Sequence, residues 1–331
     1  MFRPNKNIKI FINYILGPLL ALWLFYSLYK QVRAQPNLRE SINLMLDAPT
    51  GSQAWKFWSV IILAFLNWGI EAVKWQTLMY NLQRLKFFTA FKAVLSGVTF
   101  SLNTPNRIGE YGGRILYVED GKRIKAISLC IAGSMSQLIV TLFMGSVGLF
   151  YLIMKTEVHQ TVMGLSLFWL KTLLNASLIT TSLLALLFFR LSWLIRMIEK
   201  IPTIGKAAQY ISVLDDFTPK ILLRLLTLST FRFFVFVIQY NLLLQVMHVE
   251  LDWWQGASTV SVLFLVLAII PSFALADLGI RGKFSTELFG LYSINTLGII
   301  GATFGIWFIN LFVPALIGSL LILGIKIFKD R

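Results

Sequence analysis

Apolar positions along the chain gather into eight stretches: Ile10–Tyr29, Phe57–Tyr80, Phe87–Leu102, Ala126–Met154, Thr172–Phe189, Ile221–Val249, Val260–Pro271 and Leu297–Ile325. Six of them are long enough, as helices rising about 1.5 Å per residue, to cross a hydrocarbon layer of roughly 30 Å. Phe87–Leu102 and Val260–Pro271 are shorter, and each runs into Pro, Gly and charged residues before apolar character returns. Arg3, Lys6 and Lys9 precede the first stretch, as basic residues precede a secretion signal, but its length predicts a retained span.

Lys and Arg in short loops stay on the cytoplasmic side, so their placement decides how the chain threads. Eight complete crossings would put the basic runs Arg107–Lys125 and Arg190–Lys220 outside. Irregular backbone is tolerated at membrane depth where it lines a cavity, so the two short stretches can instead enter and return on one side. That threading leaves twenty Lys and Arg inside against five outside, namely Lys30, Arg33, Arg39, Lys56 and Lys155. It predicts an all-α polytopic membrane protein of six full spans and two re-entrant hairpins, with both termini cytoplasmic.

The same threading makes 57–154 and 221–326 two units, each a span, a hairpin and a span, one turned over relative to the other. Both hairpins carry an acid, any residue, Gly, any residue and Arg: Glu110-Tyr111-Gly112-Gly113-Arg114 and Asp277-Leu278-Gly279-Ile280-Arg281. The two arginines are 167 residues apart, and Pro105 and Pro271, which break the hairpins, are 166 apart. An inverted repeat inside one integral domain, 1–331, is therefore expected. In that plan substrate binds between the repeats near mid-membrane.

Composition narrows the chemistry. Hydrophobic residues make up 57% of the chain and charged residues 14%, which excludes a water-soluble domain. The net charge of +15 then belongs to loops facing anionic lipid, and no basic soluble domain exists to bind nucleic acid. One cysteine, Cys130, and two distant histidines, His159 and His248, give no disulfide and no expected metal or other cofactor site. Phosphate-binding loops, nucleophile elbows and metalloprotease helices are missing, so no catalytic residues are assigned.

Charges at membrane depth cost a few kcal/mol each, about 2.5 to 3.5 on insertion scales, and so pair with one another or face a wet cavity. Arg107 and Arg114 can hold a phosphate between planar guanidinium forks while Glu110 orients them. Asp277 and Arg281 occupy a similar setting in the outer hairpin. Gly109, Gly112 and Gly113 permit close or left-handed backbone. Asn67, Glu71 and Lys74 share one helical face, where Glu71 and Lys74 neutralise each other. Ser134, Gln137 and Thr141 share another, as do Arg232 and Gln239. Arg232 lies deep in an apolar helix and needs an acid or an anion, with Glu71 and Glu110 as candidates. For the neutral members, hydrogen bonding between helices is the simpler role.

The run Thr104–Arg114, with the later Pro271-Ser272 and Leu278-Gly279-Ile280-Arg281, resembles the transmembrane region of lysylphosphatidylglycerol synthases and the wider flippase-like family of bacterial and archaeal membrane proteins. The chain departs from that pattern at Ala276, Asp277 and Gly282. The resemblance implies a multi-pass protein of the bacterial inner membrane that moves an anionic phospholipid or lipid-linked head group, standing alone without the soluble aminoacyl-transferase domain. Its partners would be membrane lipids and a separate lipid-modifying enzyme. Transport rather than catalysis is the expectation. A membrane-embedded transferase, or a scaffold acting with such a synthase, is the rival.

Overall fold

The computed structural model describes residues 46–102, 104, 107–155, 161–191, 212–215, 217–270 and 274–323, with isolated positions 43, 193 and 197; the side chains of 274–277 are not among those described. The expected first span Ile10–Tyr29, both termini, Pro105, Pro271, Ser272, His159 and the Asp277 side chain therefore lie outside the described residues. Within them the fold is all-helical. Ten helices follow in order: α1 Ala54–Met79, α2 Phe87–Ser101, α3 Gly109–Ile115, α4 Arg123–Lys155, α5 Leu167–Phe189, α6 Pro219–Val246, α7 Trp253–Ile269, α8 Ala274–Phe289, α9 Thr296–Trp307 and α10 Val313–Leu323. The last two are joined through a π-helical turn, Phe308–Phe312, into one apolar rod of 28 residues.

Five helical segments are long and apolar enough to cross a membrane: α1, α4, α5, α6 and the α9–α10 rod. The helices α2 and α7, with 15 and 17 residues, reach only about 22 and 25 Å at 1.5 Å per residue. Val260 is not where α7 begins. The helix starts at Trp253, because Asp252 and Gln255 close a reciprocal capping box on its first turn. Trp253 and Trp254 consequently sit on the helix rather than in the loop before it.

Contacts between helices fix two ends. Antiparallel to α1 lies α6: Gln239 Nε2 donates to the Val60 carbonyl, Arg232 reaches Asn67 and Glu71, and Lys74 reaches Ser229. One end of the bundle therefore gathers the starts of α1, α5 and α7, where Trp55, Trp58, Trp169, Trp253 and Trp254 are exposed. The opposite end holds Arg84, Lys86, Lys122, Arg123, Arg190 and Lys220. From the basic end, α2 runs inward and α3 turns back against it. From the tryptophan end α7 runs inward and α8 returns, bringing Phe289 to stack on Tyr240 at 5.5 Å.

The helix starts recur: Ala54, Phe87 and Gly109 are followed 165, 166 and 165 residues later by Pro219, Trp253 and Ala274. Packing crosses between the two sets. The α4 helix packs most closely on α7, and α10 packs on α2. Lipid tails are as apolar as the helices, so such contacts depend on close approach rather than on escape from water. Small residues supply it. A Cβ on Gly148 would stand 2.6 Å from the Ser258 carbonyl, and one on Gly318 would stand 2.2 Å from the Leu95 carbonyl. Thr99 clamps the second contact by donating its hydroxyl to the Ala315 carbonyl at 2.9 Å.

Candidate functional site

The deepest polar feature is a knot of ionised side chains joining α1, α3 and α6. Glu71 stands at its centre, 2.7 Å from Arg114, 2.6 Å from Arg232 and 3.1 Å from Lys74. Arg114 is shared with Glu110 one turn before it on α3. Glu71, Lys74 and Arg114 are all but sealed, at 3%, 2% and 3% exposure. Buried ions are tolerated only when paired and hydrogen-bonded, and these are. Lys74 also donates to Ser229, which bonds Ser136 of α4, so four helices share the knot. Three cations against two carboxylates leave these five residues with one positive charge.

Backbone geometry explains how Arg114 gets there. A Cβ on Gly113 would fall 2.3 Å from the Ser96 carbonyl, so α3 lies directly on the α2 backbone. Gly112, one residue earlier, has open space where its Cβ would be. Of the close or left-handed backbone expected of the glycines, Gly113 supplies the close approach, while the left-handed position falls on Arg107, at φ +58°. A non-glycine residue held there is uncommon and stores about 1–3 kcal/mol of strain. Thr104 fixes the turn by accepting from the Gly109 amide at 2.7 Å.

Next to the knot is a cavity of about 340 Å³, bounded by the tips of both hairpins and by α1, α4, α6 and the α9–α10 rod. Arg107, Arg232 and Arg281 line it together with Gln137, Thr141 and Asn310. The remainder of its wall is aromatic or aliphatic, including Trp68, Phe233, Phe264, Leu267 and Trp307. Arg232 links knot and cavity. Its Nε donates to Asn67 Oδ1 at 2.7 Å and its Nη1 to Glu71, while its guanidinium lies 5.2 Å from the Trp68 ring and 5.6 Å from Phe236.

Of the residues singled out from sequence, Arg107, Arg232, Arg281 and Gln137 meet at this cavity. Glu110, Arg114, Glu71 and Lys74 form the knot behind it, and Asn67 bridges the two. Arg114 is thus a tie between hairpin and span, stacked 5.3 Å from Trp75, and not part of the cavity wall. Gln239 lies farther along α6, where it is fully buried and holds α1 through the Val60 carbonyl. Ser134 faces outward beside Tyr111 instead of joining Gln137 and Thr141. Sequence reading did not find Trp68 or Asn310. Asn310 stands on the π-helical turn four residues before Pro314, whose missing amide N–H cannot bond the Asn310 carbonyl. An asparagine four residues before a proline, inside an apolar span, was the available signal.

A second, polar hollow of about 490 Å³ opens at the tryptophan end, lined by Gln53, Lys56, Gln245, His248, Glu250 and Asp252. Among the described residues no group of three or more His, Cys, Asp or Glu comes together to hold a metal ion. Cys130 is buried. No protein-family model matches the sequence, and no curated protein matches it.

Proposed function

We propose that the protein moves an anionic lipid, a phospholipid or a lipid-linked head group, between the leaflets of a bacterial inner membrane, with the phosphate held at the arginine-lined cavity. One observation carries this reading: a cavity bounded by helices apolar enough to cross a membrane is lined by three arginines, Arg107, Arg232 and Arg281, and mostly by aromatic and aliphatic side chains otherwise. Planar forks match phosphate oxygens. The apolar wall suits the glycerol and acyl portion that must accompany a head group through hydrocarbon. Arg107, Arg232 and Arg281 bind, Asn67 and Glu71 orient Arg232, and Arg114 with Glu110 anchors the inner hairpin.

In this reading the basic end faces the cytoplasm, the tryptophan end faces outward, and the two sets of helices form an inverted pair around the cavity. Recurrence of the helix starts and the crossed packing of α4 on α7 and α10 on α2 support that pairing. The resemblance of the hairpin motifs to flippase-like proteins points the same way.

The test is leaflet exchange in vesicles reconstituted with the full chain and a tail-labelled phosphatidylglycerol. Arg232→Ala and Arg107→Ala should each slow exchange at least about tenfold, the effect of losing a charge-assisted hydrogen bond. Lys122→Ala, at the surface, should leave the rate unchanged. Exchange no faster than in protein-free vesicles, or equal rates in all variants, would overturn the assignment.

A further inference from the structure

Independently of the transport reading, we propose that the protein pairs with a second copy of itself through the outer face of α5, and that Asn175 sets the register of the pair. Of the Asn and Gln side chains in the five spanning segments, Asn175 alone is exposed; Asn67, Gln239, Asn241 and Asn310 are buried and the rest half-buried. Asn175 stands eight residues after Leu167, where α5 begins. At 1.5 Å per residue that is roughly 12 Å in from the tryptophan end, inside a hydrocarbon layer of about 30 Å. Among the described residues its side chain has no hydrogen-bond partner. Lipid tails supply none either, so a carboxamide facing them is costly until another helix covers it.

The surface around Asn175 has the form of a helix seam. Of the five spans α5 is the least enclosed, and it packs chiefly on α4. Its covered side holds Leu170, Ser177, Thr181 and Phe188. On the opposite side Thr172, Asn175, Ile179, Ser182 and Leu186 are all exposed, at spacings that alternate between three and four residues. Two helices wound gently around each other meet along such a row, and one asparagine within it fixes register and partner number. Thr172 and Ser182 give their hydroxyl hydrogens to the Phe168 and Leu178 carbonyls of their own helix, at 3.0 and 2.9 Å. They are small and internally satisfied, which suits close approach. Asn175 has no such internal bond.

Self-complementarity selects a second copy as the occupant. A carboxamide both donates and accepts, so it matches itself. Copies of one chain share one orientation in the membrane, and a two-fold axis along the bilayer normal brings Asn175 level with the partner subunit's Asn175, each Nδ2 donating to the other Oδ1. The five seam residues are uncharged, so the two rows meet without repulsion. Lys171 flanks the row only about 6 Å from the start of α5, where a long side chain lifts its ammonium to the head groups.

The test uses the full chain on a Cys130→Ala background. Ile179→Cys, oxidised with copper phenanthroline in native membranes, should yield a covalent dimer of the chain, and Phe65→Cys, comparably exposed on α1, should not. In liposomes at graded protein-to-lipid ratios, with subunits counted by single-molecule photobleaching, Asn175→Leu should weaken pairing about 5- to 30-fold, the worth of a hydrogen bond between membrane helices. Asn175→Gln keeps the amide and should keep most of the affinity. The unfolding midpoint of the Asn175→Leu monomer should match that of the wild-type monomer, which separates lost pairing from misfolding. A monomer at every ratio, or pairing indifferent to Asn175→Leu, overturns the assignment. So does a disulfide within one chain between Ile179→Cys and cysteines placed along Ile10–Tyr29, which gives the seam to the chain's own first apolar stretch. Cross-linking of Ile179→Cys to a different protein, abolished by Lys171→Leu, gives it to an acidic partner helix and overturns the assignment too.

Discussion

At the scale of single residues, Glu71 and Lys74 look like an ordinary neighbouring pair on one helix face, yet their removal should carry unequal weight. Glu71→Gln leaves Lys74, Arg114 and Arg232 with Glu110 as their remaining described carboxylate, raising the charge of the knot from one positive to two. Breaking a buried ion pair from one side costs about 3–5 kcal/mol. Lys74→Met removes the surplus cation, leaves two arginines facing two carboxylates, and fills the space with a side chain of similar length. It should change stability by no more than ~1 kcal/mol. Thermal unfolding of the purified variants in detergent checks this, and equal losses for both would show that the knot does not act as a charge-balanced unit.

How far that knot was legible is instructive. The face shared by Asn67, Glu71 and Lys74 was readable because helical periodicity alone assembles it. The need of Arg232 for an acid was readable from its depth in an apolar run. The choice of Glu71 over Glu110 was not, since it depends on the antiparallel register of α1 and α6, set by contacts such as Gln239 on the Val60 carbonyl. Asn67 meeting Asn310 was still less accessible: 243 residues separate them, and a π turn rotates Asn310 into position.

Among the elements, the inner hairpin offers a sharp test because two adjacent glycines serve different ends. Gly113 brings α3 onto the α2 backbone, while Gly112 faces open space. Gly113→Ala should force the arms apart and cost about 1–3 kcal/mol through overpacking. Gly112→Ala should be neutral or add up to ~1 kcal/mol through helix propensity. Unfolding midpoints of the two variants decide it, and a loss of similar size in both would contradict the close approach of the arms. From sequence both glycines carried the same meaning, because spacing does not say which face of a seven-residue helix meets its neighbour. The start of α7 was missed for another reason. Hydropathy favours Val260, but Asp252 and Gln255 already spelled out a capping box that opens eight residues earlier.

For the molecule as a whole, the arrangement of ends can be read directly. Cys130 is the single cysteine of the chain and is buried, so Cys130→Ala provides a silent background. Lys122 has a side chain 40% exposed at the basic end, and Trp254 is 78% exposed at the other. In intact cells, a membrane-impermeant maleimide should label Trp254→Cys and not Lys122→Cys; in inverted vesicles the pattern should reverse. Labelling of both from one side would break the two-ended arrangement, and an exchanged pattern would invert the proposed orientation. The threading expected from twenty basic residues against five rests on loop charge alone, independent of packing, and this labelling pattern is its test. The crossed packing left no such trace.

That crossed packing has a consequence for how such a chain can change over time. Each half grips the other's hairpin through its final helix, as two climbers might hold each other's wrists, and the cavity wall is stitched from both. Neither half owns a complete crevice, so a bulkier side chain at Gly148 or Gly318 is felt on the far side of the molecule. The two sets of helices are coupled at these close contacts, and a shift of one carries part of the other with it.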